Sequence, residues 1–371
     1  MYNYIPLEQA ADILDSYRKP VNSKERLNLI KGKPLDELFP YYGATGQVGW
    51  IDSFLTDGEY ILLGEDGAPF LNPYAEKAYI IYGKTWVNNH AHILRSKTNN
   101  EFLCYYLNYF NYKNYVSGTT RLKLTQAQMR KIPIPNIPSD EQSRIVASIE
   151  ELFSELDKAV DTLKTTKEQL EVYRQTILVD AFRAATNSTY LKVGCVCAKI
   201  VDCPHSTPKW EKSGKLCLRT TNFKRGYLDL QSPNYVSEET FHDRNRRIIP
   251  QPGDVLYSRE GSVLGIACTI PSNVYPCLGQ RMMLLRSGEK LNNRYLMHYL
   301  NSPMVTNHVI ATKGGTGSPH INVGDIKEFK IPIPSLEEQS NIVRQIEEQL
   351  SSCDNVEKTV DAILAQADAM R

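Results

Sequence analysis

The chain has 371 residues, 42% of them hydrophobic, a formal net charge of +1, and 22 Tyr against 10 Phe and 3 Trp. That length exceeds one ordinary core and implies two or three domains. No run approaches the ~18 apolar residues of a membrane span, and Met1 to Asp12 lacks a basic segment followed by an apolar one, so the expectation is a cytoplasmic protein without a secretory signal. The near-zero net charge hides an alternation. Residues 1–135 carry 15 basic and 13 acidic groups, 136–186 carry 6 and 10, 187–334 carry 19 and 11, and 335–371 carry 3 and 8. Non-acidic blocks facing phosphate and acidic blocks facing elsewhere would give that pattern.

In chain order, the first block reads as mixed. The β-like runs Tyr60-Ile-Leu-Leu63 and Ala78-Tyr-Ile-Ile-Tyr82 sit between turn clusters, and a helix-like stretch follows at 101–109. Asn72-Pro73-Tyr74 lacks the second proline of an adenine-methyltransferase motif, and no glycine-rich cofactor loop precedes it, so an Asn-Pro turn is the expectation. His90-x-His92 is strand alternation. Lys131-Ile-Pro-Ile-Pro135 cannot be helical, because alternate prolines remove donors and hold their neighbours extended; it reads as a rigid spacer ending the domain.

A helix follows at 136–186, opened by a capping box between Ser139 and Gln142. Positions 145, 149, 152, 156, 159, 163, 166, 170, 173 and 177 alternate steps of four and three, the coiled-coil period. The expected seam is Ile145, Ile149, Leu152, Leu156, Leu163, Leu170 and Ile177. The span 139–183 is about 68 Å long at roughly 1.5 Å per residue, longer than a small domain.

The second globular block spans 187–334 and holds six of the eight cysteines, between Cys195 and Cys277. Leu191, Val193, Cys195 and Cys197 alternate as on one face of a strand. A zinc site from Cys195, Cys197, Cys203 and His205 lacks paired C-x2-C spacing; reduced thiols and no metal are expected. Asp254-Val-Leu-Tyr257 and Arg281-Met-Met-Leu-Leu285 read as strands and 293–301 as a helix. Gly314-Gly315-Thr316-Gly317-Ser318 lacks the Gly-Lys-Ser/Thr ending of a phosphate loop. A second helix, 335–371, opens with Ser335 and Glu338 as a capping box. Its expected seam is Ile342, Ile346, Val356, Val360 and Ile363.

The halves match in order. Lys131-Ile-Pro-Ile-Pro135 recurs as Lys330-Ile-Pro-Ile-Pro334. Glu141-Gln142-Ser143 with Ile145, Val146 and Ile149 recurs as Glu338-Gln339-Ser340 with Ile342, Val343 and Ile346. Ile93-Leu94-Arg95-Ser96 answers Leu284-Leu285-Arg286-Ser287, and Phe102, Tyr106 and Asn108 answer Tyr295, Tyr299 and Asn301. The architecture is therefore domain (1–135), helix (136–186), domain (187–334), helix (335–371). The fold class is α+β: two similar domains on two long antiparallel coiled-coil helices, related by an approximate twofold. Aligned by heptad, Arg371 matches Arg174, and Gln175 to Phe182 have no counterpart in the second half.

This order resembles that of type I restriction-modification specificity subunits, and the resemblance covers essentially the whole chain. It rests on the Pro-rich domain ends, on Glu141-Gln142 and Glu338-Gln339, and on Tyr41-Tyr42-Gly43-Ala44-Thr45-Gly46 with Gly64-Glu65-Asp66-Gly67. It rests also on Asp202-Cys203-Pro204-His205 with Ser258-Arg259-Glu260-Gly261. The resemblance implies a non-catalytic reader whose two target-recognition domains each bind half of a bipartite site in double-stranded DNA. The helices would set the spacer and dock two methyltransferase subunits, with restriction subunits completing the endonuclease complex. No cofactor is expected in this chain. S-adenosylmethionine, and ATP with Mg for restriction, would be bound by the partners, which would methylate a flipped-out adenine. Two other readings stay open: a partner that is a fused nuclease-methyltransferase, and a coiled-coil scaffold that binds protein rather than DNA.

DNA contacts are expected from basic and amide side chains in polar loops. These are Arg18, Lys19, Thr45, Gln47, His90 and Arg121 in the first domain. In the second they are His205, Lys209, Arg219, Thr221, Asn222, Arg225, Arg259, Lys313 and His320, with Arg219-Thr-Thr-Asn222 the strongest segment. No catalytic residue is expected.

Overall fold

The computed structural model describes residues 3–185, 188–312 and 319–370; Lys313 and the glycine-rich run 314–318 lie outside the described residues. The chain divides into two compact units, residues 1–162 with 364–371, and residues 163–363.

In the first unit the central sheet has the order Ala11–Ile13, Ala91–Ser96, Tyr60–Gly64, Ala78–Ile81, each neighbour antiparallel. Every residue of Tyr60–Gly64 is buried. The reason is visible in the alternation: Ile61 and Leu63 enter one apolar cluster, Tyr60 and Leu62 another. A strand buried on both faces reads as a continuous apolar run. A second sheet joins the hairpin Phe39–Gly43 and Gly46–Ile51 to Lys84–Val87, which runs parallel to the first hairpin strand. The helix Asn100–Tyr109 starts on the Asn99 side chain, which accepts from Phe102 N, and buries Phe102, Leu103 and Leu107.

The second unit repeats this topology. Its central sheet has the order Cys197–Asp202, Met282–Ser287, Val255–Ser258, Ala267–Thr269, again antiparallel throughout. Val255 and Tyr257 feed one cluster and Leu256 another. Lys215–Leu218 lies parallel to Cys277–Leu278, matching the parallel pair of the first unit. The helix Asn293–Asn301 is capped by Asn292 as its counterpart is by Asn99. The α+β reading and the internal repeat are thus present element by element.

The proline blocks do more than space the domains. Pro133–Pro135 pairs antiparallel with Tyr4–Pro6, and Lys330–Ile333 with Thr189–Lys192. Each domain is closed by a two-stranded ladder between its first and last segments. Two-stranded ladders leave edges free, where missing proline donors are tolerated.

The long helices are Ser139–Ala184 and Leu336–Met370. Neither contains Gly or Pro. In the second unit Lys167 meets Asp361 at 2.7 Å, and Arg174 meets Asp354 and Glu357 at 2.8 Å each. Seven residues forward on one helix correspond to seven back on the other, so they run antiparallel.

Three local expectations need correction. First, the seam is displaced by one residue at alternate positions. Leu152, Val356 and Ile363 are 65%, 45% and 43% exposed. The inward stripe runs instead through Val146, Ile149, Phe153, Leu156, Val160, Leu163, Lys167, Leu170, Arg174 and Ile177, and through Val343, Ile346, Leu350, Cys353, Glu357, Val360, Leu364 and Ala367. Of the expected positions, Ile149, Leu156, Leu163, Leu170, Ile177, Ile346 and Val360 lie on it, while Ile145 and Ile342 flank it half-buried. Second, Gln142 is not a capping residue: its Nε2 donates to Ile137 O (2.8 Å), and its Oε1 accepts from Thr98 Oγ1 (2.9 Å). The Ser335–Glu338 box does form, with Ser335 N donating to Glu338 at 2.9 Å and Glu338 N to Ser335 Oγ at 3.3 Å. Third, Val193–Val196 is a helical turn, not strand. It buries Val193 and Val196, leaving Cys195 exposed and Cys197 at the start of the next strand.

Candidate nucleic-acid interface

In the first domain, three of the chosen residues converge. Thr45 caps the hairpin, His90 precedes the strand Ala91–Ser96, and Arg121 lies on the segment that returns toward the proline block. With Asp66, Asn88 and Gly67 they line a groove of about 660 Å³. Arg121 Nε lies 2.8 Å from Asp66, and His90 Nδ1 3.6 Å from it. Gly67 has φ +80°, and a Cβ there would stand 3.1 Å from Arg121 Nε; glycine lets the guanidinium cross the loop. Gln47 is exposed on the same hairpin, its Nε2 donating to Gly49 O, and Lys19 is exposed.

Arg18 is placed differently. Its guanidinium pairs with Glu65 and with Asp15 (3.0 Å) and donates to Ala91 O. Asp15 in turn meets the fully buried His92 at 2.7 Å. Burial pushes the Asp15 carboxyl up, but the hydrogen bond and charge of His92, with Ile93 N–H and Gln126, outweigh it and hold it below the usual value. Arg18 is thus part of an internal ion network beneath the groove.

In the second domain, His205, Arg259 and His320 gather at the corresponding end of the central sheet. Arg259 is buried and bidentate on Asp202 (2.8 and 3.0 Å), and exposed His205 reaches the same carboxylate at 3.1 Å. A backbone bridge joins Glu260 to His320. Asn222 is buried too: its Oδ1 accepts from Arg219 N and its Nδ2 donates to Asp229 O. It shapes the turn that presents exposed Thr221 and exposed Arg219, whose guanidinium lies 5.5 Å over the Trp210 ring. Lys209 is exposed, and exposed Arg225 donates to Asn301 O at 3.2 Å.

Two residues at this end were not singled out from sequence. Gln280 donates to His205 O, and exposed Arg281 lies 3.7 Å from Glu260. Arg281 has φ +67°, a strained conformation for a non-glycine residue and one that clusters at functional sites. Arg281 stands one residue before Met282–Ser287, as His90 stands one before Ala91–Ser96. The bridge Asp66 to Lys123 likewise answers Glu260 to His320. The repeat itself would have found Arg281.

Among the described residues, no group of His, Cys, Asp or Glu is arranged to hold a metal ion, and no helix is long and apolar enough to cross a membrane. The structure therefore carries two copies of one sheet, each presenting a polar loop cluster at the same end of its own sheet, and two long helices, one following each domain in the chain. Residues 9–172 and 205–364 both match the type I restriction modification DNA specificity domain, and the chain belongs to that family. It is a specificity subunit of the type I restriction-modification class. It is 29% identical over 350 residues to a putative type I restriction enzyme specificity subunit of Haemophilus influenzae, covering 91% of this chain and 85% of that one. It is 23% identical to the EcoKI specificity subunit of Escherichia coli, covering 71% and 61%. Two solved structures share the fold. The HsdS subunit from Thermoanaerobacter tengcongensis aligns with TM-score 0.54 at 20% identity over 99% and 96% of the chains. A chain from a study of complex assembly and conformational transition of the type I R-M system aligns with TM-score 0.59 at 18% identity over 100% and 95%.

Proposed function

We propose that the chain is a non-catalytic cytoplasmic reader, divided as 1–135, 136–186, 187–334 and 335–371, whose two domains each bind one half of a split site in double-stranded DNA. The equivalence of the two loop clusters is the observation that carries this reading: the same end of the same sheet is polar and cationic in both domains. In the first domain Lys19, Thr45, Gln47, His90 and Arg121 meet DNA. In the second the contacts are His205, Lys209, Arg219, Thr221, Arg225, Gln280, Arg281, Lys313 and His320. Arg18, Asn222 and Arg259 position the loops from beneath, since their polar atoms are engaged by protein. The helices set the distance between half-sites and dock the methyltransferase subunits, which supply S-adenosylmethionine chemistry; restriction subunits supply ATP-driven cleavage.

The test is replacement of residues 187–329 with the matching block of a relative, followed by methylation mapping of the assembled system. One half-site should change. Change in both half-sites, or in neither, overturns modular readout. Arg281→Ala should relax specificity in that same half-site at a cost of about 1–3 kcal/mol if it reads a base edge.

A further inference from the structure

The turn that presents Arg281 stands on the same frame as the turn that presents His90, but it is held by a different means. In the first domain Lys84–Val87 ends beside Phe39–Gly43, Asn88 N donates to Tyr42 O at 3.1 Å, and Ala91–Ser96 begins three residues on. In the second, Cys277–Leu278 ends beside Lys215–Leu218, Gly279 N donates to Leu218 O at 2.9 Å, and Met282–Ser287 begins three residues on. Asn88 and Gly279 are thus equivalent. The Asn88 side chain closes its own turn, its Oδ1 accepting from His90 N at 2.8 Å. Gly279 has no side chain to do so. A Cβ there would stand 2.2 Å from Leu218 O, so the close approach of the two strands requires glycine.

Arg244 supplies that hold from outside the turn. It ends the helix Glu238–Arg244, which Phe241 seats on the cluster of Cys217, Val236 and Cys277. Arg244 is buried, and its Nε and Nη2 donate to Leu278 O and Gly279 O at 2.6 and 2.7 Å. Nη1 and Nη2 also donate to Ser206 O and Pro204 O, at 3.1 and 3.3 Å. One planar fork therefore joins the turn before Arg281 to the loop that bears His205. Gln280 ties the same two loops by donating to His205 O. A buried guanidinium is costly unless its N–H groups are engaged, so the cation and the two loops hold each other in one arrangement.

The acceptors are all backbone carbonyls, which fixes the course of the chain itself. The positive φ of Arg281 persists only where the surroundings over-determine it. The carbonyls of Leu278 and Gly279 are fixed on one side of it, and Arg281 O accepts from Arg259 N at 3.0 Å on the other.

We propose that Arg244 determines the specificity of the second domain as a positioning residue. It touches no DNA itself and sets the geometry in which His205, Gln280 and Arg281 meet it. This role rests on the DNA reading given above. The test uses Arg244→Lys and Arg244→Met. Lysine keeps the cation but gathers its donors at one point, so it serves one loop and not both; methionine has no donor. Methylation mapping of the assembled system with Arg244→Lys should show the first domain's half-site unchanged. Discrimination at one or more base pairs of the second should fall about tenfold, within the range of a lost base contact. In the full chain alone, hydrogen exchange should quicken in 203–208 and 278–282 together and stay at the parent level in Val255–Ser258. Arg244→Met should show both effects more strongly, and Arg244→Lys decides if the methionine variant does not fold. A residue that only stabilised the domain would lower the melting temperature and total methylation while leaving the preferred sequence as it was. That result, loss in both half-sites, or exchange quickened equally in Val255–Ser258 overturns the proposal. If the parent assembly leaves no bipartite mark, the DNA reading falls and this role with it; the exchange measurement separates that failure from failure of the loop clamp.

Discussion

Replacing Gln339 by alanine should unlatch the second helix from its domain. Gln339 is fully buried at the start of that helix. Its Oε1 accepts from Asn292 N at 2.8 Å, and its Nε2 donates to Lys290 O and Pro334 O at 2.9 Å each. One amide thus ties the helix start to the turn that caps Asn293–Asn301 and to the end of the proline strand. Each net hydrogen bond is worth about 0.5–1.5 kcal/mol, and stranded buried partners cost more. Losing three should cost roughly 3 kcal/mol, a fall of about 6–12 °C in the melting temperature of a unit this size. Gln142 provides an internal control, with two side-chain hydrogen bonds instead of three. Thr98 can turn its hydroxyl to water, so Gln142→Ala should cost only about 1–1.5 kcal/mol. Gln339→Glu tests the donors separately. It keeps the acceptor but sets a carboxylate against two carbonyl oxygens, raising its pKa above the unfolded value. That variant should be relatively more stable near pH 4, where it is protonated, and lose stability as pH rises through its folded pKa. Calorimetry that resolves the transitions of the two units is the assay. Equal losses for Gln142→Ala and Gln339→Ala, or a loss below ~0.5 kcal/mol for the latter, would refute the latch.

Asp15→Asn should destabilise the first domain at pH 7 and converge with the parent in acid. The folded Asp15 carboxyl lies below its ordinary value, so its contribution is present above the unfolded pKa and is lost as pH falls through the folded one; urea midpoints at pH 7, 5 and 3 measure this, and divergence toward low pH would contradict it. Phe182→Ala should cost about 3–5 kcal/mol, because it empties a fully buried aromatic site between Tyr295 and Tyr299; a loss under 1 kcal/mol in chemical unfolding would mean the helix end is not part of that core. Arg174→Glu should weaken the helix pair by placing like charge against Asp354 and Glu357, whereas adding Asp354→Lys and Glu357→Lys should recover most of the loss. A double-mutant cycle with no coupling would show that the pairs are incidental.

The repeat, the domain-helix alternation and the helix spans were legible in the order of residues because each depends on local pattern. Proline at alternate positions forbids helix wherever it occurs, and a 3.5-residue period needs no partner to be recognised. The seam phase is a different kind of fact. Leu152 and Phe153 are adjacent and both apolar, so the period alone admits either; which one turns inward depends on the face the neighbouring helix and domain present. The same holds for polar residues. Arg18 has Asp15 three residues away, but its second carboxylate partner, Glu65, and the partner of Arg259, Asp202, lie 47 and 57 residues away. Gln142 and Gln339 could be matched by sequence, but their role as latches arises only where the domain closes over them. Burial selects partners for buried charges and amides, because an unpaired one costs more than a contact gains. That selection acts across the sheet and between helix and domain, at distances no linear pattern encodes.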